Sequence, residues 1–100
     1  MKIFICFNLK EDVAPDSFEE WMKSEFQKAL KTMKGAKSVE IRRVSNIMKG
    51  EFPYHYILEV ELENEMALML VAFNPELQDL IKQFALKAGQ FSIMKTVEVK

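Results

Sequence analysis

Two tyrosines one residue apart, Tyr54 and Tyr56, are the side chains of this sequence best suited to orient a ligand. They open the segment YHYILEVELE, residues 54–63, in which apolar and polar residues alternate. A period of two predicts a β-strand with one apolar face, on which the two tyrosines lie about 7 Å apart. Their hydroxyls could hold a planar aromatic or pyrrolic molecule at a pocket mouth. The alternative is that both rings are core residues with their tips in water.

Three further apolar side chains are predicted to line the same pocket. Trp21 lies on the apolar stripe of the first predicted helix, one turn from its start, and would form the opposite wall. Phe7 comes from the first predicted strand. Met69 comes from a short helix, and methionine adapts to ligands of varied shape. The predicted ligand-binding residues are therefore Trp21, Tyr54, Tyr56, Phe7 and Met69, although each is also an ordinary core residue.

The single histidine and the single cysteine offer less chemistry. On a strand, His55 points away from both tyrosines, and Glu59 lies too far along that strand to orient it as a general base. Cys6 lies in an apolar run, where a free thiol is usually a small buried hydrophobe. Metal sites normally need three or four ligands, and one histidine and one cysteine do not supply that number. With only three glycines, the chain also has no glycine-rich loop to bind a phosphate. We predict neither a metal site nor a cofactor.

The bulk composition limits the class of protein. One hundred residues predict one domain, residues 1–100, and 49% hydrophobic with 29% charged residues is typical of a soluble globular chain. A net charge of −1 argues against nucleic acid, which needs a basic face. No run approaches the roughly 18 apolar residues of a membrane-spanning helix. The N-terminus lacks a signal-peptide layout, so we expect no membrane partner and a cytoplasmic protein.

The remaining pattern predicts four strands and two helical regions. Alternation predicts strands at residues 2–9, 38–44, 54–63 and 91–99. Apolar residues at helical spacing predict a five-turn helix that starts with a capping box of Asp16 and Glu19 and ends at Gly35.

A second helical region follows the third strand. Asn64 is predicted to cap a short helix, and Asn74-Pro75 to restart a longer one that ends at Gly89. The order β-α-β-β-α-β is typical of the ferredoxin-like fold, an α+β class. Its four-stranded antiparallel sheet has the first and third strands in the middle and both helices on one face.

The other face of that sheet is predicted to bind a second copy of the chain. Two helices cover one face only, and the bare face would carry apolar residues among the charges of Glu59, Glu61 and one of the arginines Arg42 and Arg43. An exposed patch with an apolar centre usually marks an association surface. We therefore predict a homodimer through this sheet face, with a solvated face as the alternative. The apolar residues are Phe4, Cys6, Ile57 and Met94.

A resemblance to a known family adds to this interpretation. The segments that carry it are FEEW (18–21), PYHYILEVEL (53–62) and NPELQDLIKQF (74–84). With them the chain resembles, over its whole length, the dimeric α/β-barrel superfamily. Within it the chain is most similar to the REDY-like proteins encoded with prodigiosin-type pigment pathways. The resemblance implies one pocket per subunit, between helices and sheet, that binds a small aromatic or pyrrolic intermediate of secondary metabolism.

Two other branches of the superfamily match less well. The polyketide-cyclase and stress-protein branch has a histidine early in the first strand and another at the head of the second helix, where this chain has Ile3, Phe4 and residues 74–77. The cofactor-free quinone monooxygenases use Asn, Trp, Tyr and Arg. Those types occur here at positions that do not clearly match: Asn8, Trp21, Tyr54, Tyr56 and Arg42 or Arg43.

Three hypotheses remain at this point. The first is a binding or accessory protein that shelters a small metabolite. The second is a cofactor-independent enzyme, such as a quinone-type monooxygenase or a cyclisation or condensation catalyst. The third is a dimer whose pocket is filled by its own side chains.

Overall fold

The computed structural model describes residues 1–100 as a four-stranded sheet with a layer of helices. Helix α1 runs through three continuous segments, Pro15–Trp21, the π-helical Met22–Gln27 and Lys28–Lys31. The other elements are β1 (Lys2–Leu9), β2 (Ala36–Arg43), β3 (Tyr56–Leu62), α2 (Glu65–Ala72), α3 (Pro75–Lys87) and β4 (Ala88–Thr96). None of the helices combines the length and the apolar composition that crossing a bilayer requires.

The sheet has the order β2-β3-β1-β4 with all neighbours antiparallel. Cys6 of β1 pairs with Ile57 of β3 and with Ser92 of β4, and Ile57 pairs in turn with Arg42 of β2. Residues that pair across strands point to the same face, so these four share one face and their chain neighbours share the other. The predicted ferredoxin-like arrangement, with the first and third strands central, is confirmed.

The core lies between one face of the sheet and the helices. Phe7 and Leu58 from the central strands and Phe18, Met22 and Leu77 from the helices are fully buried. The face away from the helices, called the open face below, is only partly covered. Its apolar residues are the half-buried Phe4 and Ile57, the buried Cys6 and the exposed Met94.

The N-cap of helix α1 lies two residues before the predicted one, Asp16. Ala14 is the N-cap and Pro15 occupies the first helical turn, so Asp16 lies inside the helix and its side chain caps nothing. Proline is well suited to this position because its missing N–H has no partner there anyway. The predicted capping box of Asp16 and Glu19 is therefore wrong, and Glu19 is free to bind elsewhere.

The predicted starts of α2 and α3 are confirmed. The side-chain oxygen of Asn64 accepts a hydrogen bond from the N–H of Ala67 at 2.9 Å, and that of Asn74 accepts one from Leu77 at 3.0 Å. Each bond satisfies a backbone donor that the first helical turn leaves free.

Neither of the two glycines predicted to end helices lies at a helix end. Helix α1 ends at Lys31 with Thr32 as its C-cap, and Gly35 follows in the turn before β2. Gly35 has φ +90, a backbone conformation that other residues rarely adopt, and a Cβ there would lie 2.5 Å from the Cβ of Ala67. Gly89 lies inside β4 instead of ending α3, because β4 begins at Ala88, which pairs with Leu9 beyond a bulge in β4. The last strand therefore starts three residues before its predicted position.

Candidate functional site

Tyr56 stands at the centre of a cluster of aromatic rings between the sheet and α1. Its ring stacks on that of Phe7 with centroids 5.3 Å apart, and Phe18 meets both rings edge-on at 5.5 and 5.6 Å. Tyr56 is only 4% exposed and Phe7 is fully buried. The structure thus brings these two predicted site residues together in direct ring contact.

Trp21 belongs to the same aromatic cluster but is separated from Tyr56. Its ring lies 6.1 Å from Phe18 and 5.8 Å from Phe26, and Phe18 bridges it to Tyr56. The ammonium of Lys87 lies 4.6 Å from the centre of the indole ring, a cation–π contact. Trp21 therefore supports the cluster from the side of α1 and α3.

Tyr54 lies on the opposite face of the sheet from Tyr56, so the prediction that both tyrosines share one face is wrong. The Tyr54 hydroxyl is 2.5 Å from Oγ of Ser92, which pairs with Cys6 on the open face. Tyr56, in contrast, contacts Phe7 on the helix face. The physical reason is that β3 begins only at Tyr56, so the alternation of a strand does not extend back to Tyr54.

The side chain of Asn8 holds the segment before β3 in this position. Its amide nitrogen donates to the carbonyl of Pro53 at 2.8 Å, and its oxygen accepts from the N–H of His55 at 2.8 Å. The N–H of His55 also donates to the carbonyl of Phe7 at 3.2 Å. The chain is thereby tied across the end of β1 before β3 starts, and His55 itself is exposed.

Met69 lies outside the aromatic cluster, on the outer side of α2. It is 56% exposed, whereas Ala67 and Val71 are the buried residues of this helix. Its part in ligand binding stays a prediction. The other exposed apolar residues of this region are Met66, Leu70 and Phe73.

A cleft of about 620 Å³ opens beside the Tyr56 hydroxyl, between α1 and the end of β2. The hydroxyl donates a 2.8 Å hydrogen bond to Oε2 of Glu19, and Nε of Arg43 lies 3.8 Å from the same oxygen. Two hydroxyls, a carboxylate and two cationic side chains thus line the cleft beside two aliphatic side chains. The seven lining residues are Glu19, Lys23, Ile41, Arg43, Val44, Ser45 and Tyr56.

The environment of Tyr56 makes its hydroxyl a persistent hydrogen-bond donor. Burial, together with the hydrogen bond to the Glu19 carboxylate, raises the pKa of Tyr56 to about 12. Burial raises it because the phenolate is the charged form, and the carboxylate stabilises the protonated form further. At neutral pH the phenol is therefore protonated and directed at Glu19.

The π-helical segment of α1 forms one side of the cleft. It carries Lys23, one helical turn after Glu19, and its Gln27 donates a 2.6 Å hydrogen bond to the carbonyl of Val39 in the edge strand β2. π-Helical turns are uncommon and frequently accompany functional sites. The bond from Gln27 ties α1 to β2 alongside the cleft.

The sequence alone did not place Glu19, Lys23 and Arg43 together in one site. Glu19 matched a helix cap, and the alternation of β2 assigned one arginine to each face without saying which. The register decides this: Arg43 pairs with Tyr56 on the helix face, and Arg42 pairs with Ile57 on the open face.

The side chains of the quinone-monooxygenase type are not assembled into one site. Tyr56, Arg43 and Trp21 lie on the helix side of the sheet, although Phe18 separates Trp21 from Tyr56. Tyr54 and Arg42 lie on the open face, and Asn8 is bonded to backbone groups before β3. The full set is therefore divided between the two faces of the sheet.

The open face has a charged centre among its apolar residues. Glu59 lies 3.1 Å from the Lys2 ammonium and 3.1 Å from the Arg42 guanidinium, which also binds Glu40. The hydrogen bonds from Arg42 and Lys2 lower the pKa of Glu59. This face combines satisfied charges with apolar surface from Phe4, Ile57 and Met94.

Comparison with known families identifies one match along almost the whole chain. The model of the family "REDY-like protein HapK" matches residues 1–99. None of the curated protein sequences matches this chain.

Several solved structures share the fold. At3g17210 from Arabidopsis thaliana has a TM-score of 0.84 at 18% identity, covering 99% of this chain and 97% of its own. HapK from Hahella chejuensis has a TM-score of 0.73 at 16% identity, covering 100% and 96%. A dimeric protein with a ferredoxin-like fold from Bacteroides fragilis has a TM-score of 0.63 at 22% identity, covering 93% and 90%. At these identities the likeness shows the fold alone.

Proposed function

Because the chain belongs to the family of the REDY-like protein HapK, we propose that it binds a small aromatic or pyrrolic intermediate of secondary metabolism. The observation that supports this most directly is the cleft of about 620 Å³ beside the hydrogen-bonded pair Tyr56 and Glu19. A volume of this size lies in the usual range for small-molecule sites.

The lining of the cleft suits a flat molecule with polar groups on its edge. Ile41 and Val44 offer aliphatic surface to a ring, while Glu19 offers a carboxylate that can accept from a pyrrole or phenol hydrogen. Phe7 and Trp21 do not line the cleft; they belong to the aromatic cluster that packs around Tyr56. Tyr54 lies away from this cleft.

We also propose that residues 1–100 form one domain that dimerises through the open face into an α/β barrel. The apolar surface of Phe4 and Ile57 around the ion pairs of Glu59 is suited to pack against a second sheet. The Bacteroides fragilis protein with the same fold is dimeric, which favours the same assembly here.

The setting we propose is a prodigiosin-type pigment pathway in the cytoplasm. The resemblance to REDY-like proteins encoded with such pathways favours this setting. The reducing cytoplasm suits Cys6, which is buried and unpaired, and whose thiol pKa burial raises.

Titration of isotope-labelled protein with indole and with 2,2′-bipyrrole tests the proposal. We expect saturable NMR shifts of the amides of β2, β3 and α1 that surround the cleft. Shifts that do not saturate, or that map to α2 and the open face instead, would contradict ligand binding at the cleft.

A cofactor-independent enzyme is the second candidate, and the Tyr56–Glu19 hydrogen bond is the observation that favours it. A protonated phenol in contact with a carboxylate can pass or hold a proton during a cyclisation or condensation. Product formation from a bound molecule, lost in Glu19→Gln while binding persists, would identify an enzyme. Release of the molecule unchanged would identify a carrier.

A further inference from the structure

The polar groups of the cleft contain more hydrogen-bond donors than acceptors. The Oε2 oxygen of Glu19 already accepts from Tyr56 and lies 3.8 Å from Nε of Arg43. The two Nη groups of Arg43, the ammonium of Lys23 and the hydroxyl of Ser45 bond to no group of the chain. A ligand that offers acceptors would satisfy these groups.

The two neighbouring arginines differ sharply in how they are held. Arg42 is bound by Glu40 and Glu59 on the open face. Arg43 forms an ion pair only with Glu19, at a distance beyond that of a hydrogen bond, and its side chain is 64% exposed. Arg43 is therefore free to turn its planar pair of donors toward a bound molecule.

The charges around the cleft favour an anion. Lys23 and Arg43 contribute two positive charges and Glu19 one negative charge, so the lining is cationic overall. Asp16 and Glu20 line a neighbouring depression that shares Glu19 and Lys23 with the cleft. Arg43 and Ser45 line only the cleft, so an anionic group would bind at their end of it.

We infer that the ligand of this cleft is a carboxylate-bearing aromatic or pyrrolic acid, with its carboxylate bound by Arg43 and its ring against Ile41 and Val44. This inference rests on the proposed function and names the chemical class of its ligand. The guanidinium matches the two oxygens of a carboxylate in a bidentate pair, and Lys23 adds a second positive charge nearby.

A pair of matched probes, pyrrole-2-carboxylate and pyrrole-2-carboxamide, tests it by calorimetry or NMR titration. They share the ring and differ in charge. Since a hydrogen bond between charged groups is worth about tenfold in affinity or more, we expect the carboxylate to bind about tenfold tighter than the carboxamide. Arg43→Gln should abolish that preference. Lys28→Gln, an exposed change on α1 with the same loss of charge, should keep it.

The outcomes separate this inference from the proposed function. The inference is overturned if the wild type binds both probes with equal affinity. It is also overturned if the preference for the carboxylate survives Arg43→Gln, or if Lys28→Gln removes that preference as well. In each of these cases the cleft remains a binding site. Saturable binding of neither probe would overturn both.

Discussion

The hydroxyl of Tyr56 donates a 2.8 Å hydrogen bond to the Glu19 carboxylate and so joins the central strand β3 to helix α1. The two residues are 37 positions apart in the chain. Because this bond lies at the cleft and Arg43 approaches the same oxygen, it contributes both to stability and to the shape of the site.

Tyr56→Phe should lower both stability and ligand affinity. It removes the hydroxyl but keeps the ring stacked on Phe7, so we expect the free energy of unfolding in urea to fall by about 1–2 kcal/mol. Tyr54→Phe is the matched control, because it removes a hydroxyl bonded to Ser92 on the opposite face. Indole binding should weaken in the first variant only. Equal weakening in both would contradict the cleft as the binding site.

Tyr56 should ionise only at strongly alkaline pH. Its folded pKa of about 12 exceeds the ordinary tyrosine pKa of 10, so the folded state holds this proton more tightly than the unfolded state. This contribution to stability is complete below pH 10 and is lost as the pH rises toward 12. The difference in tyrosinate absorbance between wild type and Tyr56→Phe isolates this group. A Tyr56 that ionises at or below pH 10 would contradict the burial and the Glu19 bond.

The open face should hold the dimer. Light scattering at micromolar concentration is expected to give twice the 11.7 kDa of the chain. Ile57→Glu places a charge on the apolar part of this face and should give monomers, because an unpaired charge is costly to bury. Ile93→Glu, on the other face of the edge strand β4, should leave the dimer intact. A wild-type mass equal to one chain would refute the assembly.

Gly35 should tolerate substitution far less than Gly50. Both have positive φ, which costs an alanine about 1–2 kcal/mol. At Gly35 the new Cβ would also lie 2.5 Å from that of Ala67, whereas Gly50 has no atom within 4 Å. We expect Gly35→Ala to lose at least about 1 kcal/mol more than Gly50→Ala in urea unfolding. Equal losses would mean that the contact between Gly35 and α2 relaxes freely.

Local chemistry made much of this fold predictable from the sequence. Asn64 and Asn74 cap their helices because a side-chain oxygen needs only a nearby N–H, and both lie within three residues of their partners. Gly35 adopts a positive φ in a turn, a backbone conformation that is strained for other residues. The alternation of the strands and the helical spacing of the apolar residues determined the order of elements, and with it the ferredoxin-like topology.

The site depended on contacts between distant residues, which no local pattern encodes. Glu19 has the spacing of a helix cap, yet its partner is a tyrosine of β3. The register of β2 against β3, set by packing along both strands, decided that Arg43 and not Arg42 reaches the cleft. The side chain of Asn8 tied down the segment before β3 and so sent Tyr54 to the other face. The sequence determined which elements form, while tertiary packing decided which polar side chains meet, because alternation is defined only within a strand.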